Sequence, residues 1–223
     1  MILIVGAGSQ LALSFEEFAV ANSHDYALVS RERPAFGPVE KWTPTTYETV
    51  DQRLRELVGS LEIETLVWLA APFSRSLFAR PVGDDPAIYV SKFLLFQSQL
   101  VREVLNGMIA RGFGRLVFAG SVGAMLGDVG SVYYTTLKHA QQGLSRGLAI
   151  EYGKLGITSN VIDLGLLSIG LSDEMSADRF EEHRNRTAIP SLVNPRDFWN
   201  LVGHLIENPS VNGSAINLDG GFR

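Results

Sequence analysis

Short apolar runs alternate along this chain with longer stretches in which apolar residues recur every third or fourth position. The runs at 2–5, 26–29, 65–69, 115–119, 157–162 and 215–218 predict buried strands, with a weaker one at 39–42. The helical period covers 10–21, 46–60, 86–111, 132–154 and 196–207. A strand that is apolar on both faces needs helices on both sides of its sheet, and strands alternating with helices give βαβ units. The pattern therefore predicts an α/β fold. We expect a single doubly wound Rossmann domain over 1–223, with a mostly parallel sheet of about seven strands. The stretch 168–192 departs from the pattern: it is polar, rich in Arg and Glu and without a strand, as suits a flap over a substrate pocket.

Composition narrows the function. The chain has 223 residues, 46% of them hydrophobic and 19% charged, enough apolar material for one sizeable core. A net charge of -5 and the lack of any Lys/Arg run argue against binding to a phosphate backbone, so no nucleic-acid partner is expected. There is no cysteine, and His24, His139, His183 and His204 never take metal-ligand spacing, so neither thiolate chemistry nor a metal is expected. Gly6 and Gly8 interrupt the opening apolar run, and no run reaches the ~18 residues of a membrane span. These features predict a cytoplasmic protein with no membrane partner.

Candidate chemistry centres on Tyr134 and Lys138. Residues four apart share a helix face, which sets the Lys138 ammonium beside the Tyr134 phenol, while Tyr133 points off that face. A phenol titrates near ~10, and an adjacent cation lowers that toward neutrality, where the group serves as an acid or base. Ser121, thirteen residues upstream of Tyr134 (134 − 121), adds a hydroxyl for the same substrate oxygen. The plainer alternative is an amphipathic helix with a packed tyrosine and a solvated lysine.

Upstream, the first strand runs into Gly6-Ala-Gly8-Ser9-Gln10-Leu11 and then a helix, which suits backbone N–H groups aimed at a pyrophosphate. Ser30 and Arg31 follow the second strand where an acidic residue would otherwise bind a free ribose 2′-hydroxyl. An arginine there suits a 2′-phosphate, so NADPH is favoured over NADH. Two glycines can also simply make the turn, and Arg31 and Arg33 can be solvated loop residues.

Taken in order, these motifs resemble the short-chain dehydrogenase/reductase family, in its shorter reductase branch with the 3-oxoacyl carrier-protein reductases. The stretch 114–121 resembles the strand ending in that family's catalytic serine, 156–165 its sixth strand and nicotinamide loop, and 212–221 its closing strand. The resemblance implies an NAD(P)H-dependent ketoreductase or alcohol dehydrogenase acting on a small or carrier-bound carbonyl substrate. It implies that Tyr134 protonates the carbonyl oxygen and Ser121 holds it. Lys138 would bind the nicotinamide ribose and lower the tyrosine pKa, and Gly165 and Leu167 would line the carboxamide. It also implies a homodimer or homotetramer paired through 86–111, 132–154 and the last strand.

The chain departs from the family pattern in several places. Gln10 and Ala12 stand where glycines are usual, and Ala70 lies in a Leu-Ala-Ala stretch in place of the usual Asn-Asn-Ala-Gly on the adenosine side. No asparagine occupies the relay position, near which Ser91 and Lys92 fall, and the acidic residue usual at the end of the third strand is missing at Trp42-Thr43. These departures motivate an alternative: a cofactor-binding member with little or no catalysis, serving as a sensor or assembly subunit.

Overall fold

The computed structural model describes residues 1–72, 76–80, 85–169 and 177–223. Seven strands form one wholly parallel sheet: β1 (Ile2–Val5), β2 (Tyr26–Ser30), β3 (Trp42–Pro44), β4 (Thr65–Trp68), β5 (Gly114–Ala119), β6 (Ile157–Leu164) and β7 (Ala215–Leu218). Their order is β3-β2-β1-β4-β5-β6-β7. The direction of winding reverses beside β1, which pairs with β2 on one side and β4 on the other. A crevice opens at such a reversal, outside the carboxyl ends of the strands.

Alternation along the strands divides the interior in two. Leu3, Val5, Leu66 and Trp68 face α3 (Gln52–Ser60), α4 (Pro86–Arg111) and α6 (Val132–Tyr152), where Phe93, Phe96 and Leu100 pack against them. Ile2, Ile4 and Val67 face α1 (Gln10–Leu13), α2 (Phe15–Ala21) and α8 (Pro195–Glu207), against Phe15, Phe198 and Trp199. The longest helix, α4, has clear end signals. Asp85 accepts from the Ala87 N–H at 2.9 Å, Pro86 opens the first turn, and Gly112 closes the helix at φ 66°.

Several boundaries differ from the sequence pattern for local reasons. The helix expected at 10–21 divides at Ser14, whose hydroxyl donates to Leu11 O at 3.0 Å and accepts from Trp199 Nε1 at 3.1 Å. The strand expected at 39–42 is a 3-10 turn, Val39–Lys41, with the pairing shifted onto Trp42–Pro44. The helix expected at 46–60 starts only at Gln52, where Asp51 caps it by accepting from Leu54 N at 2.8 Å, because Tyr47 before it is left-handed at φ 61°. Two helices lie outside the pattern: α5 (Val122–Leu126), directly after Ser121, and α7 (Ala177–Asn185), in the expected flap. Flap residues 170–176, including Asp173 and Glu174, lie outside the described residues.

Candidate active site

At the carboxyl end of β1 the backbone turns so tightly that only glycine fits. Gly6 has φ 94°, and a Cβ there would stand 2.4 Å from Ala70 N. Its N–H donates to Val29 O at 2.8 Å and the Ala70 N–H to Val5 O at 3.0 Å, so the turn is held by the strands on both sides. Gly8 is roomier: a Cβ there would meet nothing nearer than Glu32 O at 3.7 Å. Gly6, Gly8, Ser9, Ser30, Arg31 and Ala70 border one cleft of about 230 Å³. Gln10 is exposed and Leu11 is buried toward α8, so neither side chain lines it.

The Ser30 hydroxyl is already committed, donating to Glu32 O at 2.5 Å and accepting from Trp42 Nε1 at 3.0 Å. It shapes the turn that presents Arg31, whose exposed guanidinium lies 5.9 Å from the centre of the Tyr47 ring. Tyr47 is a cleft residue that sequence reasoning passed over. Its ring sits 5.9 Å from Phe93 and 5.6 Å from Phe96, and its phenol faces the N–H groups of Gly6 and Arg31. Burial pushes that phenol's pKa well up. A left-handed tyrosine after a short edge strand leaves no mark in the hydrophobic pattern. The glycine cradle and the crevice beside β1 together suit a dinucleotide.

The second cluster forms where β5 and β6 end beside α6. The Tyr134 side chain is hydrogen-bonded to Ser121, whereas Tyr133 leans on Phe78, ring centres 5.5 Å apart. Lys138 is 3% exposed, donates from Nζ to Ala119 O at 2.6 Å, and lies 5.6 Å from the centre of the Tyr134 ring. Ser121, Tyr134 and Lys138 are thus brought together. The expected lowering of the phenol pKa is not what this geometry produces. Burial raises Tyr134 above its ordinary value, the Ser121 hydrogen bond offsets part of that, and the charge of Asp163 adds to it. Burial also brings Lys138 down to about 8, against an upward pull from Asp163. The lysine is aimed at the end of β5, and desolvation dominates both groups.

Gly165 and Leu167 follow β6. The Gly165 N–H donates to Leu218 O at 3.0 Å, and a Cβ on Gly165 would stand 2.8 Å from Asp219 Cα. Leu167 bridges in parallel to Val193, and Leu166 O accepts from Val193 N at 2.9 Å. Ser91 and Lys92 are both exposed, Ser91 donating to Ala87 O at 2.8 Å and Lys92 pairing with Glu48 at 3.3 Å. Among the described residues no group of three or more His, Cys, Asp or Glu could hold a metal ion, and no helix is long and apolar enough to cross a membrane.

The buried lysine has a measurable consequence. Between about pH 8 and pH 10 the unfolded chain keeps a proton on Lys138 that the folded chain has released, so stability rises with pH across that window. The rise should be roughly 2–3 kcal/mol, on the scale of 1.4 kcal/mol per pKa unit. It should be absent in Lys138→Met, as read by urea denaturation at neutral pH and at about pH 9.5. Above pH 10 the raised phenols of Tyr47 and Tyr134 act in the opposite sense, because the unfolded chain loses those protons first.

Residues 95–223, more than half of the chain, match the family model described as enoyl-(acyl carrier protein) reductase. The chain belongs to the short-chain dehydrogenase/reductase family. Among its curated relatives this short-chain dehydrogenase/reductase is 26% identical over 123 residues to a 3-oxoacyl-(acyl-carrier-protein) reductase of Buchnera aphidicola. That match covers 54% of this chain and 50% of the relative, so the alignment spans half the relative's length. An acetoacetyl-CoA reductase of Rhizobium meliloti is 26% identical over 228 residues, covering 97% of this chain and 93% of the relative. In fold, the chain is similar to a short-chain dehydrogenase from Leptospira borgpetersenii, with TM-score 0.87 at 20% identity over 99% of this chain and 91% of the other.

Two side chains of the second cluster, Asp163 and Gln142, were not singled out from the sequence. A lone carboxylate directly after the strand expected at 157–162 is a signal that could have found Asp163. Gln142 reads as an ordinary helix residue.

Proposed function

We propose that this protein is an NADPH-preferring oxidoreductase that interconverts a carbonyl and its alcohol, with Tyr134 as acid and base. The observation that carries the reading is the Tyr134 to Ser121 hydrogen bond, set above a buried lysine at the open end of the sheet. The names of the acetoacetyl-CoA and 3-oxoacyl reductase relatives support a 3-oxo group on a small or carrier-bound thioester as substrate.

Bound nicotinamide dinucleotide supplies the hydride in this chemistry. The main chain at Gly6, Gly8, Ser9, Gln10 and Leu11 would hold the diphosphate, Arg31 the 2′-phosphate beside Ser30, and Ala70 the adenosine side. Gly165 and Leu167 would border the nicotinamide. Ser121 donates to the substrate oxygen while Tyr134 passes its phenolic proton to that oxygen as negative charge develops there. The phenol is protonated at neutral pH, with its pKa raised by burial, so the proton is in place for transfer. Lys138, behind it, supplies positive charge against the phenolate left after transfer.

The segment 168–192 is proposed as the flap of this single domain. Its far end is anchored to the last residues: Ile189 N donates to Gly220 O at 2.8 Å and Arg186 Nε to Arg223 O at 2.9 Å. We also propose a homodimer or homotetramer paired through α4, α6 and β7. Leu95 and Ile88 on α4 and Ile150 on α6 are exposed apolar side chains that such pairing would cover, and sedimentation velocity tests it.

The deciding experiment combines cofactor titration with a panel of 3-oxoacyl thioesters and cyclic ketones. Turnover with NADPH is expected. Tight cofactor binding without turnover on any substrate would instead favour the sensor or assembly role. In Arg31→Ala, NADPH affinity should fall about tenfold and NADH affinity should stay unchanged, since a charge-assisted contact contributes roughly 1.5–3 kcal/mol. Equal losses for the two cofactors would remove the 2′-phosphate assignment.

A further inference from the structure

One buried carboxylate touches the same cluster and has no part in the chemistry above. Asp163 is the next-to-last residue of β6 and is 2% exposed. Its Oδ1 accepts from the main-chain N–H of Ser121 at 3.1 Å, and its Oδ2 accepts from Gln142 Nε2 at 2.8 Å. Burial raises the pKa of this carboxyl, while the hydrogen bonds from Ser121 and Gln142, one accepted by each oxygen, and the nearby positive charge of Lys138 favour its ionised form. The backbone makes room for it. A Cβ on Gly120 would lie 1.9 Å from Oδ1, so glycine at that position admits the carboxylate against the end of β5.

A charge inside a covered strand costs several kcal/mol unless it is balanced. Its surroundings can be taken element by element. From α6 it faces Lys138, His139 and Tyr134, on which its charge acts or which act on it. On the β7 side it stands in register with Asn217, and Asp219 follows that strand. The end of β5 presents main chain only, and α5 contributes Met125, whose sulfur is 3.0 Å from Gln142 Nε2. Holding the Ser121 N–H alone would not require a charge, because an asparagine carbonyl accepts as well. The buried Lys138 ammonium does require one, and Asp163 is the acidic group whose charge reaches it.

We propose that Asp163 is a positioning residue of the reaction, tying the Ser121 backbone to α6 through Gln142 and supplying the buried negative charge that balances the Lys138 ammonium. The inference rests on the reading of Tyr134 as the acid. Its charge pulls the pKa values of Lys138 and Tyr134 upward together, so that cation and phenol both persist to higher pH.

The test uses Asp163→Asn in the full chain. Tyrosinate absorption is followed against pH, and each protein is compared with its Tyr134→Phe counterpart so that the difference isolates Tyr134. The midpoint should fall by about one pH unit in Asp163→Asn. The alkaline limb of kcat/KM for ketone reduction should move down with it, and kcat should drop about tenfold at unchanged cofactor KM. An unchanged midpoint overturns the charge role, and an unchanged kcat overturns the positioning role. If the parent protein reduces no ketone, the reductase reading fails while the tyrosinate shift still decides the role of Asp163. Should Asp163→Asn not fold, Gln142→Met serves instead. It removes the donor to Oδ2 and leaves the charge less screened, so the Tyr134 midpoint should rise, and a midpoint that stays fixed or falls counts against the proposal.

Discussion

Tyr134→Phe should reduce kcat for carbonyl reduction about a thousandfold, within the range that a positioned general acid contributes. The effect should fall on kcat with KM nearly unchanged, because the phenolic proton is transferred only as charge develops on the substrate oxygen. Phenylalanine keeps the ring beside Lys138 and loses the hydrogen bond to Ser121. NADPH affinity should therefore stay close to that of the parent. Steady-state kinetics on the most active thioester of the panel, with a fluorescence titration of NADPH, measure both quantities. A rate within a few-fold of the parent would remove Tyr134 from the acid role.

Gly6→Ala should be the most damaging small substitution in the cofactor turn. An L-residue at φ 94° is strained, and its Cβ would be driven to 2.4 Å from Ala70 N and 2.8 Å from Ala70 Cα, both main-chain atoms that cannot swing away. Left-handed strain of roughly 1–2 kcal/mol and overpacking of roughly 1–3 kcal/mol together predict a loss of about 2–5 kcal/mol. The loss falls where β1 meets β4 at the centre of the sheet, so NADPH binding should weaken with it. Gly8→Ala is the matched control. Its Cβ would make only ordinary van der Waals contacts, the nearest with Glu32 O at 3.7 Å, so stability should change by less than about 0.5 kcal/mol. Any loss of NADPH affinity there would report close backbone approach of the diphosphate. Urea denaturation and cofactor titration of the pair separate the two effects, and equal stability of the two variants would contradict the packing argument.

How much could be read in advance follows from the range of each interaction. The central strands were legible because burial on both faces demands unbroken apolar runs, and Ile2–Val5 was read to the residue, as was the half-exposed edge strand Ala215–Leu218. α4 was legible at both ends, since Pro86 and Gly112 are themselves boundary signals. The break at Ser14 was not, because it depends on Trp199, far away in sequence. The late start of α3 was hidden too, since a left-handed Tyr47 is a backbone state that no side-chain pattern reports. α7 carries too few apolar residues to show a period, and the short α5 spans only Val122–Leu126.

The sequence by itself determined the fold and the pairing of Tyr134 with Lys138, which follow from hydrophobic period, glycine placement and i, i+4 spacing, all local along the chain, whereas Ser121 joined them through the family resemblance. Only the tertiary structure decided the electrostatics of that company. The spacing predicts a lysine that acidifies the phenol, yet the folded chain buries Lys138, turns its ammonium to the Ala119 carbonyl, and brings the charge of the Asp163 carboxylate to bear on both groups. Desolvation and long-range charge depend on what surrounds a group in three dimensions, and Asp163 and Tyr134 come from different elements that meet only after β6 and α6 pack.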